Sequence, residues 1–360
     1  MIRNYGDVPA EVRAVRSSVG FSEMSHVACA RISGDDAFDL VDRVVAAPLY
    51  VRDGQLRHTL LLDPNGLVLA DTYVGNDDGA YMLFAEGLSA AALVEHLEQH
   101  RGSAREVFIE NLSETHTMLS IDGPFAWELI AALEGQEVVG FPYLSFFRPL
   151  PDRWLLRAGK TGEFGYDLLV PRGDVDAVSA RVLDVGQRFD LHRVGMDALW
   201  HCALENWFFN VHVEGRAGLT PEELQLQWRM APDKEFVGAA AVRARRERGP
   251  STRRIAGVVA DEDLCVGDTV TFEGRAIGSI VSAARSLTTD EPIGIALLER
   301  RYAHSGIDRH RVDARDRSIR VTTVSPPFVN NVSLFVNPQR HSYVARAEIP
   351  FPGATRRVLM

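Results

Sequence analysis

The sequence predicts an α+β protein with largely antiparallel sheets, followed by a small C-terminal β-barrel. Three observations carry this expectation. Over the first 250 residues, short alternating strands stand close to amphipathic helices, with too little chain between strands for a long parallel array. Beyond residue 250 only strand signals remain, regularly spaced and separated by turn residues. Between them lies the basic stretch 243–254, broken by Gly249-Pro250. The expected organisation is therefore 1–250, a barrel over 251–330, and a tail over 331–360.

In order, the Val12 and Val15 spacing predicts a short helix in 8–18, and alternation predicts a strand over 26–32. Ser33-Gly34-Asp35-Asp36 turns and caps a helix over 37–45, with Phe38, Val41 and Val45 on one face. Two apolar runs, 58–62 and 67–74, flank Asp63-Pro64-Asn65-Gly66, which suits a type I turn and makes a hairpin. A further turn at 76–79 leads into a strand over 81–85, completing a three-stranded meander. Ser89 opens a helix ending at Gly102, with Leu93 and Leu97 inward. Strands at 106–112 and 117–121 precede a helix from Pro124 through Leu133. Strands at 153–157 and 166–170 flank a turn-rich loop from Gly159 to Gly165. Helices follow over 175–189 and 196–207, the second beside Trp200, Trp207, Phe208 and Phe209. Thr220-Pro221-Glu222-Glu223 reads as a helix cap. Strands at 255–259, 269–272, 276–283, 293–298 and 319–324 compose the barrel, and the chain after Pro326 has no clear period.

Composition narrows the function. The chain of 360 residues is 46% hydrophobic and 24% charged, ordinary for a globular protein of two or three domains. No run reaches the roughly 18–20 apolar residues of a bilayer span, and the N-terminus lacks an apolar signal region, so a cytoplasmic protein is expected. A formal charge of −10 disfavours nucleic acid, anionic membrane and acidic protein partners. Cys29, Cys202 and Cys265 have no metal-type spacing and are expected to be buried thiols, with no metal site. Gly159-Lys160-Thr161 ends like a phosphate loop, but Trp154 holds the place of its first glycine and a strand follows. His96 and His100 lack the order of a metalloprotease motif.

One residue stands out chemically. Alternation puts Asp71 on a strand face with Leu67, Leu69 and Tyr73. If that face is buried, the carboxylate must be paired, ligand-bound or catalytic; if it is open, Asp71 is an ordinary solvated side chain. The pattern leaves both readings standing.

Six motifs in order supply a resemblance. Residues 21–27, Phe-Ser-Glu-Met-Ser-His-Val, resemble the "(F)DVSHM" segment of the glycine cleavage T-protein family. Residues 65–71 are similar to its "GGIIDDL" strand, and 120–124 to "FQGP". Residues 159–167 resemble "GYTGEDGFE". Thr220-Pro221-Glu222-Glu223 with Trp228 and 233–238 resembles "TP-E-GL-W" and "DKDFIG", and 277–282 resembles the barrel's "IGEITSG".

The resemblance implies a tetrahydrofolate enzyme with a central cavity, formed by two interleaved antiparallel-sheet, ferredoxin-like subdomains and a β-barrel. It implies that Asp71 contacts the reacting region of the folate, where a carboxylate can orient N5 and relieve it of a proton. Asp167 matches a pterin-binding glutamate, and a carboxylate accepts two adjacent pterin N–H groups. Tyr166, Lys160, Trp200 and Trp228 complete the expected folate contacts. Four departures stand against the pattern: Met196 for an arginine, Lys160 for a tyrosine, His58 for a tyrosine and Ala85 for an asparagine. They suggest a pocket refitted for a different donor, because methionine cannot replace an arginine contact. The leading expectation is a folate-dependent demethylase moving a methyl group from a small O-, N- or S-methylated substrate to N5, with His58 supporting the leaving group. The alternative is aminomethyl transfer from a lipoylated carrier protein. A non-catalytic folate-binding regulator ranks third, since its "KGC-x-GQE" signature is missing.

Overall fold

The computed structural model describes residues 1–231, 233–314 and 317–357. Helix α1 (Val8–Ser17) starts at Asp7, whose side chain accepts from the Ala10 amide. The chain continues through β1 (Val19–Glu23), β2 (Ala28–Ser33), α2 (Ala37–Val44), β3 (Leu56–Leu62), β4 (Val68–Asp77) and β5 (Ala80–Glu86). Next come α3 (Ala90–Gln99), β6 (Phe108–Asn111), the single turn α4 (Leu112–Thr115), β7 (His116–Asp122) and α5 (Ala126–Glu134). The region closes with β8 (Ser145–Leu150), β9 (Arg153–Arg157), β10 (Gly165–Pro171), α6 (Val175–Gly186), β11 (Leu191–Arg193), α7 (Met196–Glu205) and α8 (Ala239–Glu247).

These strands form two sheets, ordered β3-β4-β5-β2-β6 and β11-β1-β7-β10-β9-β8. The chain starts the second sheet, builds the whole of the first, then returns, so the two units are interleaved. Strand periodicity decides what each sheet shows to the other. In β4 and β5, Ala70, Val74, Leu83 and Ala85 face outward onto α2 and α3, while Tyr73, Met82 and Phe84 face inward. In β7 and β10, Leu119, Ile121, Tyr166 and Leu168 pack under α5 and α6, while Met118 and Leu169 face inward. The facing sides of the two sheets share one apolar cluster. Helix α7 packs on α1 through Val12, Val15, Ala198 and Cys202.

After α8, a closed barrel is built from β12 (Arg253–Ala260), β13 (Thr269–Phe272), β14 (Arg275–Arg285), β15 (Pro292–Glu299), β16 (His310–Ala314) and β17 (Arg317–Val324). The tail turns back from the barrel, and Val332, Val336 and Tyr343 join the core beneath α5.

Several local expectations fail for identifiable reasons. Strand β1 was not legible because four of its five residues are buried, which erases alternation. On α2 the inward face is Ala37, Leu40, Val41 and Val44, leaving Phe38 exposed. Thr220 and Glu223 exchange the two bonds of a capping box, but the segment is a turn, followed by a single 3₁₀ turn rather than an α-helix. Cys29 and Cys202 are buried, whereas Cys265 is exposed. Among the described residues no helix is long and apolar enough to cross a membrane.

Candidate active site

The inward faces of the two sheets and α7 line a cavity whose empty space, with its open mouth included, is about 760 Å³. Its polar wall carries Asp71, Glu86, Asp122, Lys160 and Asp167. Strand register explains the first pair: Asp71 on β4 is the cross-strand partner of Glu86 on β5, so both carboxylates share the inward face.

Two buried carboxylates side by side require cations. The loop between β9 and β10 supplies one. Gly162 sits at φ +84°, and a Cβ there would meet Asn206 and Asn331 at 2.3 Å, so only glycine fits. The loop backbone is tied down by Arg16 and Asn206 on the Thr161 carbonyl and by Asn331 on the Gly162 carbonyl. Lys160, fixed at its start, reaches Asp71 Oδ2 at 2.7 Å and Glu86 Oε2 at 2.6 Å. The first contact is off the hydrogen-bond axis and acts as an ion pair. The other Asp71 oxygen accepts from Arg229 Nη1 at 2.6 Å and lies 2.6 Å from His58 Nε2.

The electrostatic result is a fixed charge pattern. Burial alone would raise the Asp71 pKa, but His58, Lys160 and Arg229 outweigh it and hold the carboxyl well below its ordinary value. Glu86 is likewise held low against burial, chiefly by Lys160. Burial would lower Lys160, yet the two carboxylates raise it, so it stays an ammonium ion. Burial pushes the His58 imidazole down against the pull of Asp71.

Deeper in the cavity the carboxyls behave oppositely. Asp167 is pushed up to about 7 by burial and by the neighbouring Asp122. Burial also raises Asp122 to about 6, even though Ser120 and Thr161 donate to it. Ser120, the cross-strand partner of Asp167, gives its hydroxyl to Asp122 Oδ2 at 2.9 Å, and its pull on Asp167 does not offset burial. Such a carboxyl is poised to ionise when a ligand brings N–H groups. The apolar wall is formed by Met24, Phe84, Met118, Met196, Leu199 and Trp200.

Of the residues singled out in the sequence, Asp71, Lys160, Asp167 and Trp200 line this cavity. His58 does not line it; it stands behind Asp71, stacked 4.5 Å from Tyr73. Tyr166 is corrected: it follows Gly165 on the outward face of β10, 1% exposed in the core under α5 and α6, because it alternates with Asp167. Trp228 is corrected too, since it is 66% exposed and lies outside the cavity, with the Arg229 guanidinium over its ring. Ala85 faces the helices, so that departure does not touch the cavity. Glu86, Asp122 and Arg229 were missed. Glu86 was within reach of the sequence, since the alternation Met82, Phe84, Glu86 continues the inward face of β5. Arg229 was not, because it comes from a distant 3₁₀ turn, Gln227–Arg229.

Comparison with known proteins agrees with this architecture. Residues 4–234 match the family model described as the GCVT N-terminal domain, and 253–330 match the glycine cleavage T-protein C-terminal barrel domain. An aminomethyltransferase from Saccharopolyspora erythraea is 30% identical over 337 residues, covering 91% of this chain and 91% of that protein. One from Bacillus pumilus is 26% identical over 333 residues, covering 90% and 91%. The crystal structure of the glycine cleavage system aminomethyltransferase T from Bartonella henselae superposes with a TM-score of 0.78 at 22% identity, covering 91% of this chain and 90% of that one. That likeness speaks for the fold.

Proposed function

Because the chain belongs to the glycine cleavage T-protein family, and is thereby a tetrahydrofolate-dependent transferase, we propose that it transfers an aminomethyl-derived one-carbon unit to N5 of tetrahydrofolate. This reverses the order of the two readings that the sequence suggested. The demethylase expectation rested on four departures, on the cluster of Trp200, Trp207, Phe208 and Phe209, and on the acidic net charge; one of the departures, Ala85, faces away from the cavity. The relatives named aminomethyltransferase align over nine-tenths of the chain.

The observation that carries the assignment is the pairing of an ionised Asp71 with a protonatable Asp167 in one cavity. When bound, tetrahydrofolate supplies N5 as the nucleophile. Asp167 would accept the paired N–H groups of a pterin edge. Asp71 would accept a hydrogen bond from N5–H and so fix the direction of attack. Its depressed pKa makes it a weak base, so it orients N5 and stabilises developing positive charge rather than removing the proton early. Lys160 and Arg229 keep it ionised. His58 acts through Asp71 and is a positioning residue.

A second reading, methyl transfer from a small donor, is favoured by Met196, Leu199 and Trp200, which form an apolar wall and offer no charge to a carrier-bound or zwitterionic donor. One experiment separates them. The protein is incubated with tetrahydrofolate and either an aminomethyl-loaded lipoylated carrier or a panel of methylated amines, sulfonium compounds and methoxyaromatics. Mass spectrometry of the folate is expected to show 5,10-methylenetetrahydrofolate, with ammonia released, from the carrier alone. Formation of 5-methyltetrahydrofolate from a small donor alone would replace the first reading with the second. Absence of both products under folate-saturating conditions would remove both.

A further inference from the structure

Beside the folate cavity stands a cluster for which the proposed chemistry has no use. His26 comes from the connection between β1 and β2, Glu86 from the end of β5, and His212 from the turn following α7. His26 Nε2 lies 3.6 Å and His212 Nε2 3.5 Å from the same oxygen, Glu86 Oε1. The three ligand atoms all fall within 4.8 Å of one another. Among the described residues, neither ring nitrogen of His26 and not the Nε2 of His212 makes a hydrogen bond, although these atoms are buried. Buried polar atoms without partners are costly and call for an explanation. The other Glu86 oxygen is taken by Lys160 at 2.6 Å, which leaves Oε1 to the histidines.

We propose that His26, Glu86 and His212 form a binding site for a divalent transition ion of the zinc class, with a fourth position open to an exogenous ligand. In a tetrahedral site with bonds of about 2.0–2.1 Å, ligand atoms stand roughly 3.3 Å apart, so the two separations from Glu86 need to close by a few tenths of an ångström and the third, between the imidazoles and within 4.8 Å, by at most roughly 1.5 Å. Two imidazoles and one carboxylate suit zinc, whereas magnesium and calcium prefer oxygen alone. Three protein ligands, rather than four, are the mark of a site that takes an exchangeable partner. Glu86 lines the cavity, as does Trp200, whose ring lies 5.6 Å from that of His212. The exchangeable position therefore borders the space where a one-carbon donor would lie, and a sulfur or nitrogen atom of such a donor is a ligand of the right class. Lys160 opposes the ion's charge, but Asp71 and Glu86, both in contact with that ammonium, offset it. The three ligands come from distant parts of the chain, so no spacing rule shows them. The proposal departs from the sequence expectation of no metal site.

The proposal does not rest on the folate reading, and its test needs no folate. Untagged full-length protein is stripped with chelator, dialysed against Zn²⁺ or Co²⁺, and assayed for bound metal and for the visible spectrum of the cobalt form. One ion per chain is expected, with the intense absorption of four-coordinate Co²⁺. Substitutions H26A, H212A and E86Q are each expected to weaken binding at least ~10-fold, by loss of a ligand. The surface variant H192A is expected to bind as the wild type does. Substoichiometric uptake by the wild type, a weak six-coordinate cobalt spectrum, or equal uptake by H26A, H212A and H192A would each overturn the site. The wild-type spectrum decides even where a variant fails to fold. Folate binding by the same stripped protein reports separately on the proposed function.

Discussion

Two buried charge clusters lie in this molecule, and they differ in how completely they are satisfied. At the junction of the N-terminal region, barrel and tail, Arg16 donates to Glu205, Glu163, Asn331 and the carbonyls of Thr161 and Cys202. Glu205 accepts in addition from Ser286, from the amide and hydroxyl of Thr288, and pairs with His201 at 3.2 Å. Burial would raise Glu205, but His201 and Arg16 hold it far down. Every charge there is consumed by structure. In the cavity, by contrast, Asp71 is ion-paired but its Oδ2 accepts no hydrogen bond, and the nitrogens of His26 and Nε2 of His212 are buried without partners. A buried charge is weak evidence for function by itself. What distinguishes the cavity is polar groups that the chain buries without satisfying.

Substitutions at the two clusters should therefore fail in different currencies. The largest effect is expected from Asp71→Asn, which keeps the shape but removes the charge that orients N5. One-carbon transfer should fall by roughly 10²–10⁴-fold, the usual range for such a group, in protein that still folds but melts earlier, because Arg229 loses its buried carboxylate partner while Lys160 retains Glu86. Steady-state turnover beside a thermal melt checks this, and turnover within a few-fold of wild type would end the comparison. Arg16→Met should show the reverse. Leaving Glu205 and Glu163 buried without their cation is expected to cost about 3–5 kcal/mol of stability, measured by denaturant unfolding, with lost activity tracking the unfolded fraction. If activity vanished in well-folded R16M, the junction would have to be counted as part of the site.

Asp167→Asn sharpens the contrast through pH. In the free protein the Asp167 pKa is raised from 3.8 to about 7, so the folded state binds the proton more tightly than the unfolded one. Its stabilising contribution is full below pH ~4 and is lost as pH rises towards 7. Folate binding needs the ionised form, so affinity should increase with pH through the same upper range. The carboxyl titrates together with Asp122, and the observed midpoint belongs to the pair. The Asn variant should bind tetrahydrofolate roughly 10–100-fold more weakly at pH 8, the cost of losing charge-assisted hydrogen bonds, with a flatter pH profile. Titration at pH 6, 7 and 8 reads both. The smallest effect is expected at His58. His58→Ala should lower kcat by up to ~10-fold and shift its pH profile, leaving the KM for folate unchanged, because the residue acts by positioning Asp71. His58→Gln, which restores a donor to Asp71, should recover most of the loss; failure to recover would assign His58 a different role.

The same contrast explains what the sequence could reveal. The hairpin, the meander and most barrel strands were legible, because one-sided burial imposes a period of two and Asp63-Pro64-Asn65-Gly66 and Glu273-Gly274 mark the turns. Strand β1 and the tail were not, since burial on both faces and packing by isolated side chains leave no period. In the site, Asp71 and Lys160 could be reached through strand faces and motif resemblance. Tyr166 was misassigned by one residue of alternation, although that rule was available. Arg229, His26 and His212 meet the carboxylates only through tertiary packing, which no local pattern encodes.

The central claim is that one cavity holds the pterin on Asp167 and N5 on Asp71. A crystal structure of the tetrahydrofolate complex tests it most directly. The account predicts pterin N–H groups on the Asp167 carboxylate and N5 within about 3.5 Å of Asp71; a pterin bound away from both carboxylates would contradict it.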